Sequence, residues 1–213
     1  EEGFQQSHRL DAGGLEEIIY WLQNIKFNKA DIEFLLEKKL VTKKFSKYLK
    51  AFKFTGSVWA IPEGTIFFPY EPIVRVTAPI IEASLLEAYL LTAGSSNIMF
   101  WSKAARLKIA SADKIELGTG PFRGHSFESG AKAGRAAYCF DIVTTGNPST
   151  YRKYGIKTPA PADYIINAQH LFIKSFSDEL SAFRALAKYS PDNCGFMVDT
   201  YNFEQGVRNA IIV

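Results

Sequence analysis

Several stretches of this chain combine residue types and spacings that could do chemistry. The run Thr144-Thr145-Gly146-Asn147 lies between a β-prone stretch and a helical pattern opening at Pro148. Glycine and small hydroxyl residues at such a turn can cradle a phosphate through backbone N–H groups. Asp199 and Thr200 close a run read as a strand over Gly195–Asp199. They set a carboxylate and a hydroxyl at a strand end, where α/β barrels gather their polar site residues. Lys103 and Arg106, three apart in a helical pattern, share a face and offer two positive charges, an arrangement that also suits a plain solvated face. Of the histidines, His8 and His125 have little around them, whereas His170 stands at a predicted strand-to-helix junction. Cys139 and Cys194 are far apart without metal-ligand spacing, so neither a zinc site nor a disulfide framework is expected.

The elements that must position these residues follow from hydrophobic period. Leu15 to Phe52 is helical: Leu15, Ile18, Ile19 and Leu22 share one face, then Ile32, Leu35 and Leu36, then Phe45, Tyr48, Leu49 and Phe52. Asn28 followed by Asp31 reads as a capping signal for the second helix. The lysines 38, 39, 43 and 44 read as a solvated face. Val58–Ile61, Thr65–Phe68 and Ile73–Thr77 are short β-prone runs separated by proline-containing turns, which predicts a small antiparallel unit. Pro79 opens a long helical stretch, expected to break near Gly94 and to resume through Met99 to Ile109.

Beyond Asp113 strand and helix patterns alternate. Strands are expected near Ile115–Leu117, Asp141–Thr144, Asp163–Ile166 and Gly195–Asp199. Helices are expected near Lys132–Phe140, Pro148–Tyr154, Ser177–Tyr189 and Phe203–Ala210. Such alternation implies an α/β fold with parallel strands and crossover helices, and about four units fall short of the eight of a full barrel. The expected domains are 1–112, helices and a small antiparallel sheet with a long connecting helix, and 113–213, the first part of a barrel.

Composition bounds the function classes. The 213 residues are 47% hydrophobic and 22% charged, enough for a substantial core. A net charge of +3, from 25 basic and 22 acidic residues, argues against a dedicated nucleic-acid partner. Glu1–Asp11 lacks the basic and apolar pattern of a signal peptide. The longest apolar run, Ala78–Leu91, is cut by Glu82 and Glu87 and is too short to span a bilayer. A cytoplasmic, reducing setting away from membranes is expected. Trp59, Trp101 and Tyr201 read as core or interface aromatics.

The block SVWAIPEGTIFFPYEPIVRVTAPIIEASLLE, Ser57 to Glu87, resembles the signature stretch of the nicotinate phosphoribosyltransferase family, including its PEGT, FP and EP elements. Further matching blocks are GLEEIIYWLQNIKF ending at Phe27, KAAR at 103–106, RAAY at 135–138, KYGI at 153–156 and DELSAFRALAKYSPDNCGFMVDTY at 178–201. The resemblance implies part of an α/β sandwich followed by a partial irregular α/β barrel of the type II phosphoribosyltransferase kind. It implies an enzyme of NAD salvage that joins nicotinate to 5-phosphoribosyl-1-pyrophosphate, giving nicotinate mononucleotide and pyrophosphate. ATP and Mg²⁺ are the implied cofactors, a phosphorylated histidine couples ATP, and a cytoplasmic homodimer is the implied assembly.

Carried over residue by residue, the resemblance places His170 on the phosphorylated histidine, aligned through IKSF at 173–176. Gly120 and Arg123 fall on the glycine and second arginine of the family's glycine-x-arginine-arginine motif. Thr145 and Asn147, with Gly146 between them, fall on its glycine-threonine-serine-asparagine turn, and Asp199 and Thr200 match directly. Departures accompany these matches. Phe122 replaces the first arginine and cannot serve as a bidentate anion clamp, and Val143 replaces the aspartate before the turn. Ile166-Asn167-Ala168-Gln169 stands where a glycine-threonine pair precedes the histidine, and Ser95, Ser96 and Asn97 alter another family run. The resemblance finds no counterpart for the family's N-terminal segment before Leu15 and puts the later barrel strands beyond Val213. The alternatives are a catalytically inactive truncated relative acting as a scaffold, and a transferase for nicotinamide or quinolinate.

Overall fold

The computed structural model describes residues 9–112, 118–119, 125–142, 144–145, 147–156, 166–191 and 194–213. The chain forms two compact units: residues 1–117 with 135–142, and residues 118–134 with 143–213.

The first unit opens with strand β1 (Leu10–Asp11), then helices α1 (Leu15–Asn24), α2 (Lys29–Glu37) and α3 (Lys43–Lys50). The capping signal at α2 is realised in full. Asn28 accepts from the Asp31 N–H, and the Asp31 carboxylate accepts from the Asn28 N–H. Thr42 caps α3 in the same way by accepting from the Phe45 N–H. Strands β2 (Ser57–Ala60), β3 (Ile66–Phe67) and β4 (Val74–Thr77) do not form one sheet. β2 pairs antiparallel with β4, Trp59 opposite Arg75, whereas β3 pairs with β1. The two-residue β1 gives no sequence signal, so the partner of β3 was not foreseeable.

Ile18, Leu22 and Leu86 form the core, with Trp21, Ile25, Phe54, Val58, Val76 and Leu90 against it. Leu86 belongs to α4 (Ile80–Ser111), a single helix of 32 residues that runs unbroken through Gly94. The expected break is absent because the flanking turns hold the helix. Buried Ala93 and Asn97 lie on either side of Gly94, and the Asn97 amide donates to the Ala93 carbonyl and to Glu17. One interior glycine costs only about 1 kcal/mol against this packing.

Helix α2 ends in a Schellman motif, the Leu40 N–H donating to the Leu35 carbonyl and the Lys39 N–H to the Leu36 carbonyl. The left-handed position is occupied by Lys39, φ 56°, rather than glycine. Lys39→Gly is therefore expected to stabilise the unit by about 0.5–1 kcal/mol, the relief of the Cβ clash exceeding the added freedom of the unfolded chain. A higher urea midpoint at unchanged m-value is the expected readout.

The second unit contains the parallel pair β5 (Gly118–Thr119) and β6 (Thr144–Thr145). Helix α5 (Phe127–Tyr138) starts earlier than expected, and its residues from Arg135 onward are grouped with the first unit. Helices α6 (Pro148–Tyr154), α7 (Ile166–Lys174), α8 (Glu179–Tyr189) and α9 (Phe203–Ile212) follow. Ile173, Ala182 and Phe183 form the core of this unit, with Phe172, Phe176, Phe196, Met197, Val198 and Ala210 packed on it.

The β-pattern near Asp141 resolves as a turn at Asp141, with the strand beginning only at Thr144. The expected strand near 115–117, and the start of the one near 163–166, lie outside the described residues; Ile166 itself is helical. Gly195–Asp199 is not a strand. Its apolar side chains pack on Phe183 and Ile173, and the backbone at Gly195 and Met197 bonds to the side chain of Gln169 instead of to a neighbouring strand. Among the described residues the parallel pair does not extend into a closed barrel, so the mixed helix and strand architecture is established at that coarser level.

Candidate active site

His170 lies within α7, not at a strand-to-helix junction, and Asp199 and Thr200 lie in an irregular turn rather than at a strand end. The structure nevertheless brings the three together. The Thr200 hydroxyl is 2.9 Å from His170 Nδ1, and the Asp199 carboxylate is 3.9 Å from His170 Nε2. The two ring nitrogens therefore face different partners: a hydroxyl at hydrogen-bond distance and a carboxylate slightly beyond it. The imidazole side chain is 31% exposed and that of Asp199 55% exposed, so the group is reachable from solvent.

Packing from both sides explains how an irregular segment holds this place. Phe196, Met197 and Val198 dock on the core of the unit. Gly206, closing the first turn of α9, lies so close to Val198 that a Cβ there would collide with the Val198 carbonyl oxygen. Asn202 caps α9 by accepting from the Gln205 N–H, which fixes where the turn ends. Gly206→Ala is expected to push the Val198–Thr200 backbone away from α9 and to lower the stability of the unit by about 1–3 kcal/mol, as overpacking of a filled site does. Thermal unfolding of the variant checks this.

Of the turn residues, Thr145 lies in β6 opposite Thr119. Asn147 is buried and caps α6, its Oδ1 accepting from the Ser149 N–H at 2.9 Å and from the Ser149 hydroxyl. Its position is thus set by a structural bond that any phosphate role must share. Gly120, Arg123, Gly146, Phe122, Val143 and His8 lie outside the described residues. His125 is exposed. Among the described residues no group of three His, Cys, Asp or Glu side chains could hold a metal ion, and both cysteines are free.

In the first unit, Lys103 and Arg106 are exposed on α4, and Arg106 donates to the Arg9 carbonyl. Sequence reasoning missed a stronger feature there. Glu63, of the PEGT element, meets Arg135, of RAAY, in a two-pronged ion pair, with Nη2 2.8 Å and Nη1 3.3 Å from its carboxylate oxygens. Glu63 also accepts the Gly14 N–H at 2.7 Å, and Arg135 reaches Glu16 at 2.8 Å. The Arg135 guanidinium lies 5.6 Å from the centre of the buried Trp101 ring. A lone carboxylate and a lone guanidinium inside otherwise apolar blocks were the available signal.

Burial pushes the Glu63 carboxyl up, but the hydrogen bonds and charge of Arg135 and the N–H groups of Gly14 and Glu16 outweigh it, so its pKa falls below the ordinary 4.5. A lowered folded pKa contributes stability that is complete above the unfolded value and is lost as pH falls through the folded one. The urea midpoint of the first unit is expected to drop as pH falls below about 4.5. Arg135→Met should flatten that drop, because Glu63 then loses its partner.

Residues 4–94 match the family model described as the nicotinate phosphoribosyltransferase (NAPRTase) N-terminal domain. That match begins ahead of Leu15, so the stretch before Leu15 does have a family counterpart, contrary to expectation. Nicotinate phosphoribosyltransferase pncB2 of Mycobacterium tuberculosis is 34% identical over 200 residues, covering 94% of this chain and 42% of the relative. The Bacillus subtilis nicotinate phosphoribosyltransferase is 34% identical over 201 residues, 94% of this chain and 40% of its own. The crystal structure of human nicotinic acid phosphoribosyltransferase superposes with a TM-score of 0.70 at 21% identity, over 95% of this chain and 50% of that one, and shows the shared fold. This chain thus spans less than half the length of these curated relatives. Over that span the relatives and the solved structure that this chain matches are nicotinate phosphoribosyltransferases, and residues 4–94 belong to that family's N-terminal domain.

Proposed function

We propose that the protein carrying this chain transfers the phosphoribosyl group of 5-phosphoribosyl-1-pyrophosphate to nicotinate, forming nicotinate mononucleotide and pyrophosphate in NAD salvage. The observation that carries the reading is His170 between the Thr200 hydroxyl and the Asp199 carboxylate. With Nδ1–H donating to Thr200, Nε2 keeps its lone pair and is the nitrogen that takes the γ-phosphoryl group of ATP as ADP departs. Asp199, facing Nε2, favours the cationic ring that results.

Mg²⁺ binds through one or two carboxylates together with substrate phosphates and water, and the half-exposed Asp199 side chain is a donor of that kind. Bound there, the ion would neutralise the departing pyrophosphate. Thr145, Gly146, Asn147, Gly120 and Arg123 are proposed to hold the phosphate and carboxylate groups, and Lys103 is proposed separately, on the family resemblance, as a substrate-binding cation of the first unit. The parallel pair β5–β6, with helix α5 between its strands in the chain, supports reading the chain from residue 113 as the start of an irregular barrel; residues 1–112 are proposed as sandwich on the family resemblance. A cytoplasmic homodimer completes the proposal, on the family resemblance.

The test is product formation by the purified full-length protein from nicotinate, 5-phosphoribosyl-1-pyrophosphate and Mg²⁺, with and without ATP, alongside label transfer from γ-labelled ATP to the protein. Nicotinate mononucleotide whose yield rises with ATP supports the reading. A stable protein that makes none overturns it in favour of a scaffold, and product from nicotinamide or quinolinate instead reassigns the base.

A further inference from the structure

Gln169 immediately precedes His170 on α7, is buried, and spends both ends of its side-chain amide on one stretch of backbone. Its Nε2 donates to the Gly195 carbonyl at 2.9 Å, and its Oε1 accepts from the Met197 N–H at 3.0 Å. A strand neighbour makes the same pair of bonds, one accepted and one donated two residues apart, so a single side chain stands in for a ladder partner. The segment it holds runs on through Val198 into Asp199 and Thr200, the two groups that face the His170 ring. Helix and irregular segment are thus registered to each other one residue away from the histidine on one side and two or three residues away on the other.

We propose that Gln169 is the positioning residue of this site: it sets the register of the 195–200 segment against α7 and thereby the Thr200–His170 hydrogen bond and the facing Asp199. The inference rests on the reading of His170 as the reacting group only where activity is concerned; the geometry is measurable without it. Two substitutions separate the roles. Gln169→Leu keeps the volume and removes both bonds. Gln169→Glu keeps the acceptor for the Met197 N–H and, when ionised, sets an acceptor against the Gly195 carbonyl; protonation at lower pH restores the donor.

The experiment is ¹⁵N NMR of the imidazole nitrogens in histidine-labelled full-length protein, with His170 assigned by its alanine variant, combined with kcat and KM for nicotinate mononucleotide formation. In Gln169→Leu the two His170 nitrogens are expected to move toward the averaged values of an unconstrained ring, with kcat falling on the order of 10²-fold and KM little changed, as misplacement of a reacting group by about 1 Å does. In Gln169→Glu the nitrogen pattern should converge, as pH falls, on that of the parent protein measured at the same pH. A folded Gln169→Leu protein with parent nitrogen shifts overturns the proposal, as does a Gln169→Glu protein showing the parent pattern while its carboxylate is ionised. The second variant also decides the matter if the first fails to fold. Altered shifts with unchanged kcat support the positioning role and sink the proposed role of His170 instead.

Discussion

His170→Ala is expected to lower kcat/KM for nicotinate mononucleotide formation in the presence of ATP by about 10²–10⁴-fold and to abolish label transfer from γ-labelled ATP. The imidazole is the one group among the described residues that meets both Asp199 and Thr200, and truncation leaves no nitrogen nucleophile there, only the Thr200 hydroxyl without a base beside it and the Asp199 carboxylate. Stability should change little, because the ring is partly exposed and the core beneath it is made by Ile173, Ala182 and Phe183. Thr200→Val separates the contributions. It removes one hydrogen bond to Nδ1, on the order of 0.5–1.5 kcal/mol or roughly two- to twelvefold in rate, and leaves the nucleophile in place. Equal losses in both variants would mean that the ring acts only through its bond to Thr200, and full activity of His170→Ala would remove it from the chemistry.

The largest stability effect is expected at Phe183. Its side chain is fully buried, and its ring stacks on Phe196 with centroids 4.6 Å apart and planes 29° apart. Phe183→Ala is expected to destabilise the second unit by about 3–5 kcal/mol, from lost transfer energy and the cavity left behind. That is a large fraction of the roughly 5–15 kcal/mol that holds a typical domain together. Chemical denaturation followed by far-UV circular dichroism should show an early transition. Because Phe196 is the residue before Met197, the same variant should also loosen the Thr200–His170 contact under conditions where the unit is still folded.

What could be read from the residues was what local physics decides. The cap at Asn28 and Asp31, and the helices starting at Pro148 and Phe203, depend on a few neighbouring side chains and stand where the pattern puts them. Long-range contacts were illegible. The Gly94 break was overridden by Asn97 and Glu17, 80 residues apart in the chain. The apolar run at Gly195–Asp199 reads equally well as a strand or as a docked loop, since packing on Phe183 demands the same side chains as a ladder, and only the amide of Gln169 decides. His170 came from the family resemblance and not from its neighbours, because its partners are 29 and 30 residues away in the chain. The pairing of Glu63 with Arg135 spans 72 residues and left only the hint of two opposite charges in apolar surroundings.

The place of Trp101 beneath Arg135 has an optical consequence. The chain has three tryptophans, Trp21, Trp59 and Trp101, and all belong to the first unit. They occupy distinct surroundings: Trp21 stacked on Tyr89 at 3.8 Å, Trp59 exposed on β2, and Trp101 buried. Indole emission from this chain therefore follows the opening of one unit and is blind to the other, whose fluorescence comes from tyrosine alone. Red-shifted emission on acidification would mark release of the guanidinium above Trp101, while a transition seen by circular dichroism but absent from the emission would belong to the unit that holds His170.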